Sequence, residues 1–179
     1  MSRQFRSVVF ALILASAAGS AFGLEGWALY VQGGNVYRKA IGGSQQKIYD
    51  TGVNMQNACW SAAGNYVYAM DGGGVLYRMN NDGSNVQKLG DIGSNNAKCS
   101  IATYRPDDAY CLYVQGDKFY KVNGSNGNKT LIHDDSKSYV GEFGISASGT
   151  RIAARDTASD LQKIAVGSGP SRYSTTCSS

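Results

Sequence analysis

From Trp27 onward, apolar and polar residues alternate in short runs, and clusters rich in Gly, Asn, Asp and Ser separate the runs. Successive side chains of a strand point to opposite faces, so alternation with a period of two marks a half-buried strand. Tyr66 and Tyr68 then share one face and Val67 takes the other. In the best-formed stretch, residues 58–61, 66–70, 75–79 and 86–89 read as strands, and residues 62–65, 71–74 and 80–85 read as the turns between them. Outside the first residues no run places apolar side chains at i, i+3, i+4 and i+7, so no helix is expected in the body of the chain.

The strand pattern repeats. Leu29-Tyr30-Val31-Gln32-Gly33 followed by Val36-Tyr37-Arg38 returns as Leu112-Tyr113-Val114-Gln115-Gly116 followed by Phe119-Tyr120-Lys121. Looser copies run through 66–70 with 75–78, and through 151–154 with 161–163. Equivalent positions are 37, 77, 120 and 162, at spacings of 40, 43 and 42 residues. A fixed period of about 40–45 residues built from short strands is the signature of propeller blades. The expected fold is therefore all-β, a small or partial β-propeller of about four four-stranded blades, with repeats at about 24–52, 53–93, 94–136 and 137–179. The first repeat supplies three strands, 27–31, 35–39 and 46–49, and lacks the innermost one. An open row of blades leaves two bare faces and loose strand edges. Three solutions stay open: a small ring closed by the C-terminal tail, a ring completed by other copies, or one part of a longer propeller.

The ends and the composition narrow the setting. Arg3 and Arg6 precede an apolar stretch over residues 8–18, and Ala21-Phe22-Gly23 offers small residues where a signal peptidase reads. Residues 1–23 read as a signal peptide cleaved before Leu24, with the β-propeller repeat domain over 24–179. The apolar stretch is shorter than the ~20 residues of a spanning helix, and no second one follows. The mature chain is therefore expected in the periplasm or outside the cell, with no membrane span. Removing the leader lowers the formal charge from +4 to +2. The remaining Lys and Arg are scattered, with no basic stripe of the kind nucleic acid requires.

Four cysteines, Cys59, Cys99, Cys111 and Cys177, remain in an exported chain, an even number that favours disulfides. Four cysteines allow three pairings and the sequence does not choose among them; the turn through Arg105-Pro106-Asp107-Asp108, which would fold two strands together, favours Cys99–Cys111 and leaves Cys59 for Cys177. Zinc is disfavoured by a single histidine and no C-x-x-C pair.

Few residues suggest chemistry. His133-Asp134-Asp135 sets the one histidine beside carboxylates, but it directly follows a strand and reads as a polar connecting loop. Asn80-Asn81-Asp82-Gly83-Ser84 lacks the alternating acids and final glutamate of a calcium loop and reads as a hairpin turn. Gly72-Gly73-Gly74 precedes a strand rather than the helix start a phosphate cradle needs. Ser61 and Ser146 occupy equivalent repeat positions, which argues for structure rather than nucleophilic catalysis. Tyr30, Tyr37, Tyr68, Tyr77, Tyr113 and Tyr120 recur at matching places and read as packing between blades. Tyr104 and Arg105 lie in the longer first turn of the third repeat and break the pattern; they are the candidate contact site. Asn123-Gly124-Ser125 and Asn128-Lys129-Thr130 match the N-glycosylation acceptor pattern, which matters only in a eukaryotic host.

Trp60-Ser61-Ala62-Ala63-Gly64-Asn65-Tyr66-Val67-Tyr68 resembles the W-S-P-D-G-K-x-I-x-F opening of the WD40-like repeats in TolB-type propellers. Leu76-Tyr77-Arg78-Met79-Asn80-Asn81-Asp82-Gly83-Ser84 resembles their I-Y-x-M-x-x-D-G-S strand and turn, and Ile145-Ser146-Ala147-Ser148-Gly149-Thr150 echoes the opening. Ala62 and Ala63 replace the family's proline and aspartate. The resemblance implies a protein-interaction or ligand-binding scaffold of the bacterial envelope. The expected function is non-catalytic binding of a protein or glycan by loops on one face, with no cofactor and no metal. The alternative is a homo-oligomeric structural or surface subunit whose blades are completed between copies. A periplasmic hydrolase or lyase is the weaker third reading, because no convergent carboxylates are legible.

Overall fold

A computed structural model describes residues 26–50, 52–91, 99–134, 139–156, 161–166 and 172–173. The expected leader over 1–23 and Cys177 lie outside these residues. The first sheet contains β1 (Trp27–Gln32), β2 (Asn35–Ala40) and β3 (Gln45–Tyr49) in the order β1-β2-β3. The second contains β4 (Met55–Trp60), β5 (Tyr66–Asp71), β6 (Val75–Asn80) and β7 (Gln87–Asp91), again in chain order. β8 (Cys99–Thr103), β9 (Tyr110–Gln115), β10 (Lys118–Asn123) and β11 (Lys129–Asp134) form the third. β12 (Tyr139–Ile145), β13 (Arg151–Asp156), β14 (Leu161–Ala165) and β15 (Arg172–Tyr173) form the fourth. Every pairing is antiparallel, so each sheet is a meander of tight turns. The expected blades are present, and the innermost position of the first is empty among the described residues.

The register explains how the blades bury themselves. In β5, β9 and β13 the second and fourth residues face the preceding blade. These are Val67 and Ala69, Cys111 and Tyr113, and Ile152 and Ala154, all nearly inaccessible. The third and fifth residues of β1, β5 and β9 face the following blade: Leu29 and Val31, Tyr68 and Met70, Leu112 and Val114. Period-two alternation therefore fills two cores from one strand. Four blades have three such cores, between first and second, second and third, and third and fourth. Among the described residues no core joins the fourth blade to the first.

Two repeated backbone features hold the spacing. The ladder between the third and fourth strand positions slips at Val36/Tyr37, Leu76/Tyr77 and Phe119/Tyr120, the same place in three blades. Such bulges increase local twist and bend the outer strand. Beyond them, the turns after β6 and β10 reach back to the blade before. A Cβ at Gly83 would collide with the Ile48 carbonyl, and one at Gly127 with the Leu89 carbonyl; both glycines also have positive φ, +89° and +74°. Gly42, in the corresponding turn of the first blade, has φ +75° but open space around it.

Gly83→Ala and Gly127→Ala combine left-handed strain with a backbone collision and are expected to cost at least about 2 kcal/mol each. Gly42→Ala carries the strain alone and is expected to cost about 1 kcal/mol. Urea unfolding of the three variants measures the difference, and equal losses would show that the inter-blade approach is unimportant.

Candidate functional site

Antiparallel order places two sets of turns at one end of the row, and the second and third blades carry both among the described residues. The turns joining first to second strand positions (residues 61–65, 104–109 and 146–150) lie beside those joining third to fourth (41–44, 81–86 and 124–128). The hydrogen bonds confirm the adjacency. The Asn81 N–H donates to the Asn65 carbonyl at 3.1 Å, and the Gly124 N–H to the Ala109 carbonyl at 2.8 Å.

The same end is fastened from blade to blade. Asp108 accepts from the Ala63 N–H at 2.7 Å and from Asn65 Nδ2 at 2.9 Å, tying the first turn of the third blade to that of the second. Arg38 donates from Nη1 to the Asn81 carbonyl of the next blade at 2.8 Å and from Nε to Gln46 Oε1 at 2.9 Å. Its guanidinium lies 4.8 Å from the Trp27 ring centroid. Arg78 repeats the arrangement over Tyr66 at 4.7 Å, donating to Gln87 Oε1, while Gln87 Nε2 reaches the Ser125 carbonyl of the third blade. Lys121 over Tyr110 at 5.0 Å is the third copy. An aromatic residue at the start of the second strand position and a cation facing it on the third thus form a clasp in three blades. Scattered Lys and Arg in the sequence conceal this order. The legible signal is the pairing of Trp27, Tyr66 and Tyr110 with Arg38, Arg78 and Lys121 at constant repeat positions.

Tyr104 and Arg105, the candidate contact pair, have different placements. Tyr104 is half-buried in the core between third and fourth blades and stands edge-on to Tyr110, with ring centroids 5.9 Å apart. Arg105 is exposed at the turn end. Pro106 closes the same turn over Gly149 of the fourth blade. The pair therefore divides into a packing residue and a surface cation.

The remaining candidates resolve into structure. Ser61 Oγ accepts from the Tyr66 N–H at 3.0 Å and Ser146 Oγ from the Arg151 N–H at 3.1 Å, the same turn-closing bond in two blades. Asp71, in the Gly72-Gly73-Gly74 hairpin, accepts from the Gly73 and Val75 N–H groups at 2.8 and 3.0 Å and from the Tyr77 hydroxyl. Two amides that an anion would use are already taken. Asp82 accepts the Ser84 hydroxyl and N–H at 2.6 and 2.8 Å, which hold its carboxyl below the usual carboxylate range. His133 lies against Phe119 at 6.2 Å, and Asp134 pairs with Lys118; Asp135 lies outside the described residues. Among the described residues no group of three or more His, Cys, Asp or Glu is placed to hold a metal. Tyr68 and Tyr113 are fully buried, Tyr49 and Tyr77 pack together, and the Tyr30–Tyr37 and Tyr113–Tyr120 pairs form at equivalent cross-strand positions.

The cysteine expectation needs correction. The turn at 104–109 does fold β8 against β9, but the register sets Cys99 opposite Gln115 and Cys111 opposite Thr103. The two cysteines sit at opposite ends of the pair, roughly 13 Å apart at about 3.3 Å per residue, whereas a disulfide needs Cα atoms within about 7 Å. Cys59, Cys99 and Cys111 are free thiols, and the Cys99 sulfur accepts the Tyr113 hydroxyl at 3.1 Å. The expected partner of Cys59, Cys177, is outside the described residues.

Burial pushes the Cys59 and Cys111 thiols up, and likewise the Tyr68 and Tyr113 phenols. Each group binds its proton more tightly folded than unfolded. Their contribution is therefore intact below the ordinary values, about 8.5 for Cys and 10 for Tyr, and is lost as pH rises past them. Urea midpoints are expected to hold to about pH 8 and fall above it, with part of the tyrosinate absorbance near 295 nm appearing only on unfolding. Separately, Asp108→Ala is expected to cost about 1 kcal/mol locally and speed exchange of the Ala63 amide roughly fivefold. Native-state hydrogen exchange reads this, and unchanged protection would discount the fastening.

No family model matches the chain, and no curated protein matches it by sequence. Solved structures do share its fold. TolB from Acinetobacter baumannii superposes with a TM-score of 0.63 at 18% identity, covering 81% of this chain and 39% of TolB. A nidogen/laminin complex gives 0.60 at 14% identity, covering 73% of this chain and 52% of that one. The Swd1 β-propeller domain from Myceliophteria thermophila gives 0.54 at 14%, covering 73% and 45%. The chain spans about half or less of each structure. The fold is that of a TolB-like, WD40-like propeller, represented here by about four blades.

Proposed function

We propose that this protein is an exported, non-catalytic binding scaffold whose turn end engages a protein partner. The carrying observation is the fastening of that end. Asp108, Arg38 and Gln87 each cross from one blade to another, so turns from successive blades form one pre-organised surface. Pre-organisation removes the ordering cost that otherwise subtracts from binding. Variable turns on a rigid frame are also where binding residues concentrate. The protein-interaction reading is supported by the fold, since one solved structure that shares it is a nidogen/laminin complex. The basic start and apolar stretch of residues 3–18 support export.

A photo-crosslinker placed singly at Asp82, Arg105 or Asn126 of the turn end, and at Asp117 of the opposite end, tests the assignment in the host. Adducts are expected from the turn end and not from Asp117. The combined substitution Asp82→Ala, Arg105→Ala and Asn126→Ala is expected to weaken binding of the identified partner at least tenfold, with Lys118→Ala neutral. Adducts confined to Asp117 would overturn the reading. Amino-terminal sequencing of secreted protein checks export, with Leu24 as the expected first residue.

A further inference from the structure

The two outer faces of the row differ from every face between blades. On the side of a blade that meets its predecessor, the second position of β5, β9 and β13 holds Val67, Cys111 and Ile152, each 0% exposed. The corresponding residue of β1 is Ala28, which is exposed. One strand outward, Met79, Val122 and Ile164 are buried on the same side, and their counterpart on β2 is Lys39, again exposed. On this face Tyr30 and Tyr37 cover one another, rings parallel within 16° and 5.7 Å apart, whereas the equivalent Tyr113 lies wholly under the preceding blade.

The far face shows the same replacement. The side that meets a following blade carries Leu29 and Val31, then Tyr68 and Met70, then Leu112 and Val114. In β13 these positions are Ala153 and Arg155, both exposed, and Arg151 stands where the other blades have Trp27, Tyr66 and Tyr110.

We infer that the first and fourth blades are capping repeats, in which Ala28 and Lys39 on one outer face and Ala153 and Arg155 on the other reject a further blade. Docking one on either face would bury Lys39 or Arg155 where the fold elsewhere buries Val, Met or Ile, and a buried cation must lose its hydration. Head-to-tail docking of a second copy would set Arg151 and Arg155 towards Lys39, a like-charge juxtaposition. Polar outer faces are the device by which stacked-repeat proteins stop growing. The inference is independent of what the turn end binds, so failure of the partner experiment leaves it untouched.

The test is light scattering on a sizing column across a hundredfold concentration range. It compares the protein as secreted with two variants. One restores an apolar set at both faces (Ala28→Val, Lys39→Val, Ala153→Leu, Arg155→Val); the other adds charge (Tyr30→Lys, Ala153→Arg). The native protein is expected to keep one mass, and the restored variant to at least double its mass as concentration rises. An oligomer of the native protein that the charge-adding variant leaves intact joins elsewhere, for example at the open edge of β1, and is consistent with capped faces. A native oligomer that the charge-adding variant splits to monomers would overturn the inference. So would a folded restored variant that remains monomeric, because those residues would then not be what prevents docking.

Discussion

A four-stranded sheet has two faces and cannot cover either by itself; the rest of this structure follows from covering them with neighbouring sheets. Each second strand sends alternate residues into two different cores, so Val67 and Tyr68, adjacent in sequence, stabilise opposite junctions. Stability is therefore shared between neighbours, as in other stacked repeats. The spacing of the sheets is set by main chain as much as by side chains. Gly83 and Gly127 bring a turn against the carbonyls of Ile48 and Leu89, where a methyl group does not fit.

The polar residues serve the same stacking. Ser61 and Ser146 close turns, Asp71 holds a glycine hairpin, and the aromatic–cation pairs lie at the junctions of the turn end. Among the described residues no buried side-chain nitrogen or oxygen lacks a hydrogen bond. Groups that look chemical in isolation are occupied by the fold. What distinguishes the turn end is that its fixed parts support turns of differing length and composition.

Much of this was legible before folding. The four repeats and their order follow from recurrences such as Leu29-Tyr30-Val31-Gln32-Gly33, since period-two patterns and Gly/Asn turns act over a few residues. Tyr104 was legible as a departure from the repeat but not as a core residue, because its contacts come from Tyr110 and the fourth blade. The same limit governed Cys99 and Cys111. Their strands pair, yet turn length and register together decide which residues stand opposite, and here they set the two apart.

The sequence alone thus determined an all-β row of propeller blades, because alternation, turn residues and period are written locally and repeated. Tertiary structure alone decided that Cys99 and Cys111 stand apart, that Tyr104 enters a core between blades, and that Arg38 and Asp108 bridge blades. Those outcomes depend on how far apart two sheets settle and on the register of each ladder, quantities fixed only when faces distant in the chain are packed together.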